Sequence, residues 1–139
     1  MTTYTYRAHG APKGQPRPRA FVRGKRAAVY DPGTAEGWKS CVAQAVKELE
    51  ARMIDQPVGL DLVFDMPRPK FHYTKNGALK PGSPFWFTGK PDFDNLAKAV
   101  ADAITQLGVW RDDSLVVDSH ITKRYANGAP GCTFTITLL

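Results

Sequence analysis

One strictly alternating segment constrains the fold of this chain most. Its sequence is VGLDLVFDM, in which Val58, Leu60, Leu62, Phe64 and Met66 share one face of an extended backbone. Polar or small residues occupy most of the positions between them, so the segment is predicted to be a strand with one solvated side. The apolar side must be covered by other elements, because a sheet buries its hydrophobic face against a second layer.

Two amphipathic helices can supply that layer. Apolar residues recur at three- and four-residue spacing over residues 35–53 and again over residues 94–106. Gly108 is placed to end the second helix, and residues 31–34 form a turn with a candidate N-cap before the first. The apolar stripes are Trp38, Cys41, Val42, Ala45, Val46 and Leu49 in the first helix, and Leu96, Ala99, Val100, Ala103, Ile104 and Leu107 in the second.

The other predicted elements are short strands and loops. Strands are expected at 3–8, 20–22, 27–30, 115–125 and 132–138. Residues 23–26 would form a basic hairpin tip, and residues 127–131, between the last two strands, have hairpin-turn chemistry. Residues 67–90 form a long loop, which in a compact domain is usually functional or mobile. The order predicts a single α+β domain over 1–139, a small mixed sheet with two main helices packed on one face.

Composition narrows the class of protein. The 139 residues, of which 42% are hydrophobic, can build one core but not two. The absence of a long apolar run predicts no membrane span, and the first residues lack the apolar core of a signal peptide, so a cytoplasmic protein is expected. Cys41 and Cys132 belong to no CxxC pair and are interpreted as reduced, packed thiols rather than as disulfide or zinc ligands.

The positive charge is concentrated near the start. The net charge is +6, and no acidic residue precedes Asp31. A basic segment of this kind, at residues 10–30, attracts polyanions by releasing their counterions. A merely solvated surface or a disordered tail is the alternative. The basic residues of the first 30 are Arg7, Lys13, Arg17, Arg19, Arg23, Lys25 and Arg26.

Acidic residues cluster around the second helix. Asp92 and Asp94 stand two apart before it, and in an extended chain both carboxylates would point the same way. Lys98 follows one helical turn later, and Asp112-Asp113 precedes an apolar strand. Each has an ordinary interpretation, since Asp often caps helices or forms turns, and Lys98 could pair at the surface with Asp94 or Asp102.

Taken together, the carboxylates favour a metal site. Several carboxylates in one place repel each other unless they bind a cation or a proton. Hard oxygen ligands suit Mg²⁺, with Mn²⁺ possible, and such ions promote phosphodiester hydrolysis. An EF-hand calcium loop does not fit, because Ala97 stands where that loop requires glycine. No HExxH or paired-histidine motif is present, which disfavours a zinc hydrolase.

The same stretch resembles a known family. KPDFDNLAK at 90–98 is similar to the signature of the RusA family of Holliday junction resolvases, in which two aspartates flank one residue before Asn, Leu and a Lys. Residues 102–104 and VWRDDS at 109–114, followed by 116–118, resemble its later motifs. The entry to the first helix at 35–38 is similar too. The resemblance extends over nearly the whole chain in order and length.

That resemblance implies a function and a set of site residues. It implies that branched DNA, a four-way junction, is resolved by paired nicks in recombination and repair. The enzyme would be a homodimer with one metal site per subunit and no small-molecule cofactor. The essential carboxylates would be Asp92, Asp94 and Asp113, with Asp112 as a further candidate ligand, and Lys98 would be the catalytic lysine.

Other features keep more than one interpretation. Arg17, Arg19, Arg23, Lys25 and Arg26 are expected to hold DNA phosphates. The 67–90 loop is longer than in compact relatives, and its aromatics, Tyr73 and Phe85 to Phe87, could stack on bases or cap the core. A different branched-DNA or single-strand nuclease, or a non-catalytic nucleic-acid-binding module, remain alternatives at this point.

Overall fold

The computed structural model describes residues 1–15, 19–23, 26–30, 35–47 and 53–139. Two short 3-10 turns, Lys70–His72 and Asp113–Leu115, complete the regular structure of these residues. The strands of the protein are β1 (Thr3–His9), β2 (Arg19–Arg23), β3 (Arg26–Tyr30), β4 (Val58–Met66), β5 (Val116–Tyr125) and β6 (Gly131–Leu138). The helices are α1 (Glu36–Val46) and α2 (Phe93–Gln106).

Four strands form a mixed sheet in the order β1-β6-β4-β5. The β4–β5 pair is parallel, whereas β6 pairs antiparallel with both β1 and β4. Alternation along β4 behaves as the sequence predicts, because Val58, Leu60, Leu62, Phe64 and Met66 are all buried. Directly opposite on β6, buried apolar side chains pair with them, so one face of the sheet is the floor of the core.

Both helices cover that face. Trp38 and Val42 of α1 and Leu96 and Val100 of α2 are buried in the same cluster as the β4 side chains. The predicted α+β class, with a small mixed sheet and two helices, is therefore confirmed. Gly108 has a φ of +74° and follows α2 directly, as expected of a glycine that ends a helix. Among the described helices, none has the length and apolar character needed to cross a bilayer.

The first helix is shorter than predicted. It ends at Val46, and Met53, which the apolar spacing had included, is not helical. The reason is visible just beyond it, where Ile54 forms a parallel bridge with Trp110. Its amide bonds the Val109 carbonyl at 2.9 Å, which requires extended backbone. Residues 48–52 and the predicted turn at 31–34 lie outside the described residues.

The last two strands do not form the hairpin that residues 127–131 suggested. β4 lies between β5 and β6, and each of them pairs with β4 instead. The residues of a turn act only on the chain beside them, whereas burial of the apolar face of β4 determines which strands pair with it. The basic hairpin is confirmed in its backbone, because β2 and β3 pair antiparallel from Arg19–Tyr30 to Arg23–Arg26.

The long 67–90 loop is attached to the edge strand β5. The amide of Tyr125 bonds the Phe85 carbonyl at 2.9 Å, and the amide of Phe87 bonds the Lys123 carbonyl at 3.2 Å. The Phe87 ring packs on Tyr125 and against the core. Trp86, in contrast, is 61% exposed. Within this loop, Phe87 therefore caps the core, whereas Trp86 presents an aromatic surface to solvent.

Candidate active site

The start of α2 places two of the predicted carboxylates. Asp92 is the N-cap residue, with extended backbone, and α2 begins at Phe93. Because the amide of Leu96 already bonds the Asp92 carbonyl at 3.0 Å, Asp94 lies within the first helical turn. The prediction that Asp92 and Asp94 share one extended run was therefore wrong. The Asp92 side chain makes no capping bond and instead pairs with Lys90 at 3.0 Å.

Lys98 joins α2 to the turn that precedes β5. Its Nζ donates to Asp102 Oδ1 at 2.8 Å and to Asp113 Oδ2 at 3.3 Å. The hydrogen bond that Lys98 donates to Asp102 is the main cause that raises the pKa of Lys98, and the bond donated to Asp113 adds to it. The ammonium is therefore cationic at neutral pH and is directed towards Asp113.

Asp94, Lys98 and Asp113 line one shallow depression between α2 and the β4–β5 pair, with a volume of about 290 Å³. We call it the acidic depression, after its two aspartates. The remaining lining is mostly apolar, and is formed by Leu60, Phe93, Ala97, Ala101, Val116, Ser119 and Ile121. Charged groups beside an apolar wall interact more strongly than they would in bulk water. Neither Asp92 nor Asp112 is among the lining residues.

Asp112 has a local structural partner. Its Oδ2 accepts a hydrogen bond from the Ser114 amide at 3.2 Å and so caps the 3-10 turn that carries Asp113. The hydrogen bonds from Ser114 also lower the pKa of Asp112. The turn interpretation of this residue is thereby observed, and a role as a metal ligand stays a prediction.

The donor chemistry of the depression suits a small hard cation. In the part of the chain that the structure describes, no three His, Cys, Asp or Glu side chains lie close enough together to hold a metal ion. Mg²⁺ does not need three, since it is commonly held by one or two carboxylates and completes its shell with water and phosphate oxygens. Asp94 and Asp113 provide two carboxylates on one depression.

The beginning of the basic segment packs against this site. The amide of Gln15 bonds the Asn95 carbonyl at 3.1 Å, and Gly14 lies against the Asn95 side chain. The basic hairpin therefore begins, at Arg19, only four residues after a direct contact with the first turn of α2. Arg17 and Lys25, and the side chains of the hairpin arginines, lie outside what the structure describes.

The chain is similar to one known protein family over most of its length. The family described as Endodeoxyribonuclease RusA matches residues 9–137. The chain belongs to the RusA family. A relative from Aquifex aeolicus (strain VF5), named Crossover junction endodeoxyribonuclease RusA, is 23% identical over 125 residues, covering 87% of this chain and 82% of that protein.

Two further relatives differ in extent. "Uncharacterized protein YqaN" of Bacillus subtilis (strain 168) is 31% identical over 135 residues, 91% of this chain and 90% of its own length. The RusA protein of Escherichia coli O139:H28 (strain E24377A / ETEC) is 46% identical over 48 residues, but this covers only 34% of this chain and 40% of the relative. Its similarity is thus higher but confined to one segment.

Sequence reasoning missed one cluster of charged side chains altogether. Asp65 is buried on the side of β4 that was expected to be solvated, and it binds Arg7 and Arg124. The only available signal was an aspartate at an alternating polar position, which is ordinary for a strand with one exposed face. Its partners lie 58 and 59 residues away in sequence.

Proposed function

We propose that this chain is a structure-selective endodeoxyribonuclease that resolves Holliday junctions in DNA recombination and repair. Membership of the RusA family over residues 9–137 supports the nuclease class, and the name of the Aquifex relative supports the junction substrate. The observation that carries the proposal is the placement of Lys98, whose Nζ reaches Asp113 at 3.3 Å beside Asp94 in one depression.

The protein groups have separate tasks in this proposal. Lys98 donates to a non-bridging oxygen of the bound phosphodiester and stabilises the negative charge that develops during hydrolysis. Asp102 holds the ammonium in position from one helical turn away. Asp94 and Asp113 would hold Mg²⁺ or Mn²⁺ from within the depression, and Asp92, which lies outside it at the start of the helix, is proposed as a further ligand. When bound, such an ion supplies an activated water and neutralises charge on the attacked phosphate.

Paired nicks require two such sites. One acidic depression is found per chain among the described residues, so the proposal places one subunit of a homodimer on each of two opposing strands. The basic segment, with Arg17, Arg19, Arg23, Lys25 and Arg26, would hold backbone phosphates. Because phosphate contacts carry little sequence information, recognition would be mainly of branched shape.

The decisive experiment compares a labelled mobile four-way junction, a flap and a linear duplex, each with and without Mg²⁺. We expect symmetric nicks in the junction only, and only with the ion. Asp94→Asn should keep junction binding but slow cleavage at least about a hundredfold. Asp61→Asn is the matched control, because it makes the same charge change at an exposed residue on the opposite face of the sheet.

Any other outcome of these experiments would indicate a different function or a different mechanism. Comparable cleavage of flap or duplex would identify a more general nuclease, and junction binding without nicking in any divalent ion would identify a non-catalytic binding module. Cleavage that survives in Asp94→Asn would remove the acidic depression from the mechanism. Light scattering of the complex with the junction tests the dimer, and one subunit per junction would contradict it.

The basic hairpin is tested by the salt dependence of binding. Replacing Arg23, Lys25 and Arg26 by Gln should weaken junction binding and lower the slope of log affinity against log salt by about 3, one for each lost phosphate contact. An unchanged slope would show that these residues do not contact DNA.

A further inference from the structure

A second charged cluster lies on the face of the sheet that the helices leave open. At its centre is Asp65 of β4, whose side chain is only 11% exposed. Arg7 of β1 reaches Oδ2 at 2.5 Å, and Arg124 of β5 reaches Oδ1 at 2.6 Å. Two guanidinium groups thus share one carboxylate, and the cluster has a formal charge of +1.

The two arginines have more donors than the cluster uses. A guanidinium has five N–H groups. Arg124 uses Nε for Asp65, and within the described residues its two terminal nitrogens donate to nothing else. Arg7 also donates to the Thr133 hydroxyl at 3.1 Å and to the Ala129 carbonyl at 3.4 Å. Arg7 is therefore held firmly, while Arg124 presents unused donors.

Those donors border a cavity. Arg7, Asp65 and Arg124 line an open cavity of about 310 Å³, and Phe85, Tyr125 and the turn at 126–129 form the rest of its wall. This volume lies at the lower end of the range for small-molecule sites, about 300–1,000 Å³. A polar cavity with excess cationic donors and one aromatic wall suits a phosphate group attached to a planar or sugar moiety.

We infer that the Arg7–Asp65–Arg124 cluster binds a phosphate group, supplied either by a nucleic-acid strand or by a free nucleotide or inorganic phosphate. Planar guanidinium groups match phosphate oxygens with pairs of hydrogen bonds. Asp65 takes up one donor nitrogen of each guanidinium group and leaves the cluster with a net positive charge, which attracts an anion.

This site is separate from the acidic depression. Leu60 of β4 lines the depression, whereas Asp65 of the cluster lies five residues further along the same strand, which is about 17 Å in an extended chain. Because side chains an odd number of positions apart along a strand point to opposite faces, Leu60 and Asp65 face opposite sides of the sheet. The inference therefore does not depend on the proposed nuclease chemistry.

Calorimetric titration of the full chain with inorganic phosphate, at constant ionic strength set by chloride, tests the site. Arg124→Gln should weaken phosphate binding at least about tenfold, the loss expected for one charge-assisted contact. Asp65→Asn should strengthen it, since the carboxylate that competes with the anion is neutralised. Lys75→Gln makes the same charge change as Arg124→Gln at an exposed residue outside the cluster and should bind as the wild type does.

Three outcomes would overturn the inference. These are no binding by the wild type at about 10 mM phosphate, equal binding by Arg124→Gln, and weaker rather than stronger binding by Asp65→Asn. The last comparison stands even if Arg124→Gln does not fold. The titration contains neither a junction nor a divalent ion, so its result does not depend on the proposed nuclease activity.

A short oligodeoxynucleotide and a mononucleotide distinguish the source of the phosphate. If the oligonucleotide loses affinity in Arg124→Gln, the ligand is a strand phosphate. If only the small anions depend on Arg124, it is a free one. Either result supports a phosphate site at this cluster.

Discussion

A buried hydrogen bond links the end of α2 to the chain that leads to Asp113. The indole N–H of Trp110, a residue with no exposed surface, donates to the Thr105 hydroxyl at 2.7 Å. That hydroxyl donates in turn to the Ala101 carbonyl at 2.8 Å. Removing the hydroxyl while keeping the shape, as in Thr105→Val, leaves the indole N–H buried without an acceptor.

The expected cost follows from that orphaned donor. A buried polar group without a partner costs about 1–3 kcal/mol. Unfolding entropy of about 2.1 cal/mol/K per residue gives roughly 0.3 kcal/mol/K for a chain of 139 residues, so Tm should fall by about 3–10 °C. In a Trp110→Phe background no donor remains, and the same Thr105→Val change should then cost less by about 1–2 kcal/mol.

The assay is a double-mutant cycle from urea unfolding, followed by far-ultraviolet circular dichroism. It needs the wild type, both single variants and the double variant, with Thr105→Ser as the control that keeps the hydroxyl. Purely additive single-variant costs, or a Thr105→Ser variant as unstable as Thr105→Val, would refute the reasoning and show that the indole has no special dependence on this hydroxyl.

Three further predictions concern other parts of the molecule. Asp102→Asn removes the negative charge of the nearer of the two Lys98 acceptors and so weakens that contact. Junction cleavage should therefore slow by roughly tenfold with unchanged binding. Asp102→Glu, which keeps the charge, should recover part of the rate, and equal rates in all three would contradict the positioning role. Burial raises the pKa of Cys132 from 9.0 to about 12, so the folded protein favours the neutral thiol. The free energy of unfolding should therefore be unaffected by this group below pH 9 and should fall by about 1.4 kcal/mol per pH unit between pH 9 and 12. Urea titrations at several pH values should find a smaller loss in Cys132→Ala. A Cβ on Gly131 would lie 2.5 Å from a backbone oxygen of β1, so Gly131→Ala should cost about 1–3 kcal/mol in thermal unfolding, whereas Gly128→Ala, with open space around it, should cost little.

The parts of the fold that depend on local periodicity could be predicted from sequence. The bounds of β4 match the alternating segment Val58–Met66. The buried residues of α2 are those of the predicted apolar stripe from Leu96 to Ile104, whereas Leu107, which was also predicted, is exposed. In these segments the burial pattern repeats along a single element. Local sequence therefore contains the information that positions them.

Features that depend on distant partners could not be predicted in the same way. Residues 127–131 have the composition of a hairpin turn, but β5 and β6 each pair with β4 and not with each other. The helix that was extended to Met53 ends earlier because Ile54 pairs with Trp110, more than 50 residues away. Turn and helix propensities are weaker than these long-range contacts.

The candidate site shows the same division. Sequence spacing identified Asp94, Lys98 and Asp113, which line one depression. It did not predict that α2 begins at Phe93, which places Asp94 inside the helix and leaves Asp92 outside it. Side chains two residues apart point the same way in an extended chain but not in a helix. The contact between Lys98 and Asp113 depends on the position of the 3-10 turn beside α2, which spacing within the helix does not reveal.

The position of β6 has a consequence for synthesis in the cell. Of the described strands, β6 is the last to leave the ribosome, yet it lies inside the sheet and joins β1 to β4. Until residues 131–138 have emerged, β1 has no partner strand and the floor of the core is incomplete. We expect nascent chains stalled before Gly131 to be digested by protease along their whole length, so that no partly made chain could cut DNA; protection of α2 in such chains would disprove this order of assembly.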